Sequence, residues 1–204
     1  MPALCSSVIP SLPRPTINAK FEFVDSAHWV RFKLDGTIDT EKSYELLREL
    51  ADGRKVVIPG FYGAMPNGSI RIMSRGGSDI TGALAAAALD ADVYENWTDV
   101  SGILMADPRI VDNPEPIKYI TYDELRELSH MGAQVLHEGT IFPVRQKNIP
   151  LNIRNTNAPE DPGSLIMENC PDDDNDKQFI TGITGKKNFS IIRPCFINII
   201  NITC

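Results

Sequence analysis

The sequence is poor in cysteine and histidine for its length of 204 residues. The four cysteines stand at positions 5, 170, 195 and 204, and no two of them have Cys-x-x-Cys spacing. The three histidines are not arranged as metal ligands either. This distribution argues against a disulfide framework or a structural zinc site, and it favours reduced thiols in a cytoplasmic protein.

The chain also lacks an excess of positive charge and any long apolar run. Its 20 Lys and Arg residues face 27 Asp and Glu residues, which gives a net charge of −7, and Asp172-Asp173-Asp174 supplies much of the imbalance. Nucleic acids and anionic membranes need a basic face, so neither is an expected partner. The apolar tail after Phe189 is interrupted by Arg193 and Pro194 and is too short to cross a bilayer.

The composition is that of an ordinary globular protein. Along the chain, the spacing of apolar residues is typical of helices in some segments and of strands in others. The 42% hydrophobic and 23% charged residues are enough for one sizeable core. The pattern predicts these elements: an amphipathic helix over 40–51, a buried strand at 56–58, a hairpin turn at 65–68 before a strand at 70–72, a helix opened by a Thr121/Glu124 capping box, and a strand at 151–153. Such alternation favours an α/β fold with a mostly parallel sheet.

The most informative stretch is Arg75-Gly76-Gly77-Ser78-Asp79, between an apolar run and a segment of strong helix formers. It predicts a strand-to-helix turn, where free backbone N–H groups and the helix dipole attract anions. The glycines allow close approach of a ligand, Arg75 offers a fork for a carboxylate or phosphate, and Ser78 can cap the helix. A plain helix cap beside a solvated arginine is the alternative.

A second polar cluster follows the next predicted strand, Asp92–Trp97. Thr98 and Asp99 fall at its carboxyl end, where open α/β sheets bind ligands, and a right-handed βαβ unit would bring this end beside the glycine-containing turn. Asp107-Pro108-Arg109 comes shortly afterwards. Taken singly, each of these pieces also fits a simple surface turn.

Short motifs along the chain form a set that is more specific than any one of them. The set runs from about residue 18 to 168 and comprises Pro59-Gly60-Phe61, Ser74-Arg75-Gly76-Gly77-Ser78-Asp79, Trp97-Thr98-Asp99-Val100, Asp107-Pro108-Arg109, Gly132-Ala133 with Val135-Leu136-His137, Ile153-Arg154-Asn155-Thr156 and Gly163-Ser164-Leu165. In content and order it resembles the aspartokinases of the amino-acid kinase family. The resemblance implies a three-layer αβα fold with a mostly parallel sheet.

The resemblance also implies a reaction and a set of roles. The reaction is phosphoryl transfer from ATP, bound with Mg²⁺, to L-aspartate, giving 4-phospho-L-aspartate on the route to lysine, methionine and threonine. Position by position, Arg75 and Ser78 would bind aspartate and Asp79 would be catalytic. The implied nucleotide-binding residues are Gly76, Gly77, Thr98, Asp99, Asp107 and Arg109. No dedicated protein metal site is implied, because Mg²⁺ can bridge phosphate oxygens.

Two family motifs are absent from the sequence. These are the Lys-Phe-Gly-Gly motif, whose lysine contacts the transferred phosphate, and a Ser-x-Gly-Glu motif on the substrate side. Loss of a cation at the reacting phosphate typically costs on the order of 100-fold in rate. We therefore expect weak or no activity from this chain alone. Gln134 and Leu104 replace a lysine and a tyrosine that some relatives place near the nucleotide.

The same comparison of motifs suggests how the chain is divided. We expect an unmatched leader over 1–17, the C-terminal portion of a kinase domain over 18–168, an acidic linker over 169–178, and the start of an ACT-like regulatory domain with a non-matching tail over 179–204. A kinase sheet without its first strands would expose edges and apolar surface, which favours a homo-oligomer or pairing with a complementary fragment.

Two other functional classes stay open at this point. A related kinase could act on glutamate or a nucleoside monophosphate, although Arg75 beside Ser78 favours a carboxylate acceptor. A non-catalytic nucleotide-binding fragment or regulatory partner is the other alternative. Binding of a nucleotide would separate these classes, because a specific ligand raises the stability of the native state.

Overall fold

The computed structural model describes residues 21–130, 136, 138–170 and 181–183. Several predictions therefore lie outside the described residues. They are the leader over 1–17, most of the acidic linker, nearly all of the ACT-like segment, Gln134 and most of the Gly132–His137 motif. Every helix in the described part of the chain is too short or too polar to span a membrane.

Groups of helices and groups of strands follow one another along the described chain. The helices are α1 (Ser26–Trp29), α2 (Thr40–Ala51), α3 (Gly77–Ala88), α4 (Tyr122–His130) and α5 (Glu138–Gln146). The strands are β1 (Glu22–Phe23), β2 (Val56–Val57), β3 (Tyr62–Ala64), β4 (Ile70–Ile72), β5 (Tyr94–Thr98), β6 (Ile103–Leu104), β7 (Pro116–Ile117), β8 (Tyr119–Thr121), β9 (Leu151–Asn155) and β10 (Ser164–Met167).

The largest described sheet has the strand order β5-β9-β10-β8. β5 runs parallel to β9 and β10 runs parallel to β8, while β9 and β10 are antiparallel. A separate pair, β1 and β2, is also parallel. The α/β class is thus confirmed, and two of the three pairings within this largest described sheet are parallel. The antiparallel β9–β10 pair was not predicted.

The hairpin predicted around residues 65–68 is confirmed. The predicted βαβ unit, which joins the strand at 70–72 through a helix to the strand at 92–97, is wrong. β3 and β4 pair antiparallel across a turn in which Gly68 has φ +83° and donates its N–H to the Met65 carbonyl at 2.9 Å. All three residues of β4 are exposed, so this strand forms a ribbon with β3 rather than a buried member of the main sheet. The parallel partner of β5 is instead β9, which follows about fifty residues later.

Local sequence signals fixed the ends of α2 and α4. The Asp39 carboxylate accepts the N–H of Lys42 at the start of α2, and the helix ends at Asp52 and Gly53, which both have left-handed backbone angles. At α4, Glu124 Oε2 accepts the N–H of Thr121 at 2.9 Å, and Thr121 Oγ1 accepts the N–H of Glu124 at 3.2 Å. Both the predicted helix and the predicted capping box are confirmed.

Most residues of α3 are buried. Side chains from this helix, mostly alanines, belong to two apolar clusters, with Ala83, Ala86 and Ala87 in one and Leu84, Ala85 and Ala88 in the other. Because alanine and glycine allow close approach, α2, α5 and β5 can all pack on α3. The helix that carries the glycine-containing turn at its start is therefore held on several sides.

Candidate functional site

The turn that opens α3 comprises Ser74 to Ser78 and is called the glycine turn below. Gly76 is the N-cap, with a φ of +82° that favours glycine, and the Gly77 N–H bonds to the Ser74 carbonyl at 3.0 Å. The prediction that Ser78 caps the helix is wrong. The helix begins at Gly77, which places Ser78 within the first turn, partly exposed, next to exposed Arg75.

Three chain segments meet beneath the glycine turn. A Cβ atom at Gly77 would lie 2.6 Å from Met73 Cβ and 2.8 Å from Phe61 Cδ2, so only glycine fits there without displacement. The Thr81 hydroxyl donates to the Gly77 carbonyl at 2.7 Å and accepts the N–H of Phe61 at 3.1 Å. Phe61 itself has a φ of +84°, a conformation that bulky residues rarely adopt.

Asp79 lies in the first turn of α3 and is partly buried. Its backbone carbonyl accepts a hydrogen bond from the Tyr94 hydroxyl at 3.1 Å. Tyr94 is the first residue of β5, and a Cβ atom at Gly82 would collide with its ring, so α3 and β5 are in close contact. A negative side chain in the first helical turn is also favoured by the helix dipole.

Thr98 and Asp99 lie at the carboxyl end of β5, as predicted. The Thr98 carbonyl accepts the N–H and the hydroxyl of Thr156 at 2.8 and 3.0 Å, so this end is tied to the end of β9. The Thr98 hydroxyl also approaches the Asp99 carboxylate at 3.2 Å. Asp99 itself is exposed.

A short connection links α3 to β5. Only residues 89–93 join the end of the helix to the start of the strand, and the Ala91 N–H bonds back to the Ala86 carbonyl. The Tyr94 hydroxyl, at the start of β5, reaches the Asp79 carbonyl in the first turn of α3. That the carboxyl end of β5 lies beside the glycine turn stays a prediction from the sequence.

Asp107 and Arg109 lie in the loop between β6 and β7 and pair with each other. Arg109 Nη2 and Nε bond to the Asp107 carboxylate at 2.6 and 2.9 Å, and the Arg109 N–H adds a backbone bond at 2.8 Å. The hydrogen bonds from Arg109 lower the pKa of Asp107 to about 2. The Arg109 side chain is 88% exposed, so its guanidinium can also reach a dissolved anion.

This pairing predicts how Asp107 titrates. The pKa of its carboxyl is lowered from 3.8 to about 2, so the pair stabilises the folded protein above about pH 4 and loses this effect as the pH falls toward 2. Carbon NMR of labelled aspartate should show a midpoint near pH 2, and Arg109→Ala should raise it toward 3.8. Arg126→Ala removes the same charge from α4 and should leave it unchanged. A midpoint unaffected by Arg109→Ala would contradict the pairing.

No group of three His, Cys, Asp or Glu side chains among the described residues is arranged to hold a metal ion. The carboxylates at the predicted edge, Asp79 and Asp99, suit a Mg²⁺ ion that arrives with phosphate oxygens as its main ligands. When bound with a nucleotide, such an ion would neutralise phosphate charge. Asp107 suits this purpose less, because its carboxylate is already paired with Arg109.

Sequence reasoning missed a partly buried cluster on the other face of β5. The Arg154 guanidinium lies 4.9 Å from the centre of the Trp97 ring and 3.5 Å from the Glu95 carboxylate. Arg154 Nη2 also donates to the Pro159 and Asp161 carbonyls, which anchors the β9–β10 connection. Thr81 was missed as well. The one signal for it in the sequence is a hydroxyl-bearing residue within an otherwise apolar helical run.

Comparison with known sequences identifies the family. A sequence model described as "Amino acid kinase family" matches residues 7–155, most of the chain. The chain belongs to the amino acid kinase family. Aspartokinase 3 of Bacillus subtilis is 38% identical over 152 residues, which cover 74% of this chain and 33% of that protein. A bifunctional aspartokinase/homoserine dehydrogenase of Buchnera aphidicola is 39% identical over 154 residues, or 18% of its length.

Solved structures of this family have the same fold. The aspartate kinase of Clostridium acetobutylicum shares 54% identity with a TM-score of 0.67, over 73% of this chain and 33% of that one. Aspartokinase III of E. coli, solved in complex with aspartate and ADP, shares 30% identity with a TM-score of 0.69, over 76% of this chain and 36% of that one. The amino-acid kinase fold is thereby confirmed. The chain spans about a third of the length of these kinases.

Proposed function

We propose that this chain carries the acceptor-binding part and much of the nucleotide-binding part of an aspartate kinase. The observation that carries the proposal is the glycine turn at the start of α3, with exposed Arg75 and half-buried Ser78 beside it. This arrangement suits a carboxylate acceptor, because a guanidinium binds a carboxylate through two parallel hydrogen bonds and the helix N-terminus adds positive potential. The similarity to aspartokinases supports the choice of L-aspartate.

In the proposed reaction the β-carboxylate of L-aspartate attacks the γ-phosphorus of ATP, and ADP leaves. Arg75 and Ser78 hold the acceptor, and Asp79 acts at the catalytic centre. The nucleotide lies toward Thr98, Asp99 and the Asp107–Arg109 loop. Such a reaction depends mainly on aligning two anionic reactants and neutralising the charge that spreads over the transferred phosphoryl group.

Several finer predictions belong to this proposal. The product would feed the synthesis of lysine, methionine and threonine, and the protein would act in the cytoplasm. It would bind MgATP and associate with itself or with a complementary fragment. Turnover by the chain alone would be slow, because the sequence has no Lys-Phe-Gly-Gly lysine to neutralise the transferred phosphoryl group.

A binding experiment and a turnover experiment test the proposal together. Calorimetry should show binding of L-aspartate in the presence of MgADP, with weaker binding of L-glutamate and none of uridine monophosphate. With MgATP and hydroxylamine, which traps acyl phosphates, aspartyl hydroxamate should form slowly. Tight binding of glutamate or uridine monophosphate in place of aspartate would reassign the acceptor. Absence of binding of any nucleotide would reject the kinase assignment.

A further inference from the structure

We propose that Thr81 is a positioning residue that fixes the glycine turn against Phe61 and thereby sets the geometry of the acceptor site. The side chain of Thr81 is almost wholly buried, with 1% of its surface exposed. It therefore does not touch a reactant directly. This inference rests on the proposed function and adds a residue to that same site.

The contacts of the Thr81 hydroxyl join two segments that are remote in sequence. It donates its single proton to the Gly77 carbonyl at 2.7 Å, and it accepts the N–H of Phe61 at 3.1 Å. The Met73 sulfur lies 3.6 Å away on the same side. One hydroxyl thus connects the end of the β2–β3 loop to the first turn of α3.

Phe61 needs this support because its backbone conformation is unfavourable. A φ of +84° is rarely adopted by a residue with a large side chain, and such angles persist where neighbouring contacts impose them. The Phe61 N–H is held by Thr81 and the Phe61 carbonyl accepts the N–H of Met73 at 2.8 Å. Loss of Thr81 would leave the N–H without this acceptor and remove one of the two restraints.

The strained residue in turn shapes the proposed acceptor site. The Phe61 ring lies so close to Gly77 that no Cβ atom fits between them, and 40% of the residue is exposed. The ring thus contacts the turn that carries Arg75 and Ser78. A shift of Phe61 would therefore change the space beside these two side chains, whereas Thr98, Asp99 and the Asp107–Arg109 loop make none of the Thr81 contacts described above.

The test compares Thr81→Val with Thr81→Ser in the full chain. Valine keeps the shape but has no hydroxyl, while serine keeps the hydroxyl. We expect Thr81→Val to raise the dissociation constant of L-aspartate, measured with MgADP present, by roughly tenfold. The dissociation constant of MgADP should change by less than about twofold, and Thr81→Ser should restore most of the aspartate affinity.

Amide hydrogen exchange provides a readout that does not depend on any ligand. In Thr81→Val the N–H of Phe61 should exchange faster than in the unsubstituted chain. The Phe32 N–H, which bonds to the Ala64 carbonyl at 3.0 Å in the neighbouring region, should be unaffected. Equal acceleration at both amides would indicate a general loss of stability and would overturn the positioning role.

The remaining outcomes are also decisive. Unchanged aspartate affinity in Thr81→Val, or equal weakening of aspartate and MgADP, would overturn the inference. If the unsubstituted chain binds no aspartate, the proposed function fails and the acceptor role of Thr81 fails with it. The exchange rate of the Phe61 amide would then still show whether Thr81 holds the turn, so the two failures are distinguishable.

Discussion

Replacement of Gly163 by alanine is expected to destabilise the protein by about 3 kcal/mol or more. Gly163 precedes β10 and has a φ of +76°, and an added Cβ atom would overlap the carbonyl oxygen of Ile153 and lie 3.0 Å from Asn152 Oδ1. The closer obstacle, the Ile153 carbonyl, is backbone of β9, which pairs with both β5 and β10, so this clash cannot be relieved by moving a side chain. Urea denaturation monitored by circular dichroism measures the change.

A matched control separates the clash from the backbone strain. Gly68 also has a left-handed conformation, with φ of +83°, but nothing lies within 4 Å of a Cβ atom built there. Gly68→Ala should therefore cost only about 1 kcal/mol, which is the strain of the conformation itself. Equal losses in the two variants would contradict the close packing of Gly163 against β9.

Replacement of Arg75 by alanine is expected to weaken the binding of L-aspartate about a hundredfold, equivalent to ~2.7 kcal/mol. The guanidinium can bond both oxygens of a carboxylate, and its exposed position leaves it free to do so. Arg75→Lys keeps the charge but loses the two-pronged geometry, so it should recover only part of the affinity. Calorimetric titration with L-aspartate in the presence of MgADP measures both variants.

The control for Arg75 must remove the same charge elsewhere. Arg126 on α4 forms an exposed ion pair with Asp123 at 3.4 Å, and such pairs contribute little to stability. Arg126→Ala alters the net charge as Arg75→Ala does and should leave aspartate affinity unchanged. If the two variants behaved alike, the effect would come from overall charge, and Arg75 would not belong to the acceptor site.

Several elements could be predicted from the sequence because they depend on residues only a few positions apart. The bounds of α2 follow from its amphipathic stripe and the Asp-Gly pair at its end, and the α4 start follows from Thr121 and Glu124. The hairpin turn at 65–68 is equally local. Each of these depends on residues that contact each other across only a few positions of the chain.

Predictions that depended on distant pairing were less successful. Ile70 and Ile72 suit a buried strand, yet both are exposed, because β4 pairs with β3 rather than with the main sheet. The glycine turn lies where the sequence predicts it, but the helix cap is Gly76 and not Ser78. The role of Thr81 could not be predicted either, because its partner Phe61 lies twenty positions earlier and adopts an unusual backbone angle.

The alanine-rich surface of α3 also limits how the protein can move. Its methyl groups lie in both apolar clusters, so within the described part of the chain the two clusters pack against the same helix. A rigid-body movement of one cluster relative to the other would have to disrupt the packing of side chains on α3. We therefore expect rearrangements in the connecting loops, among them the 105–115 segment that carries the exposed Arg109 side chain.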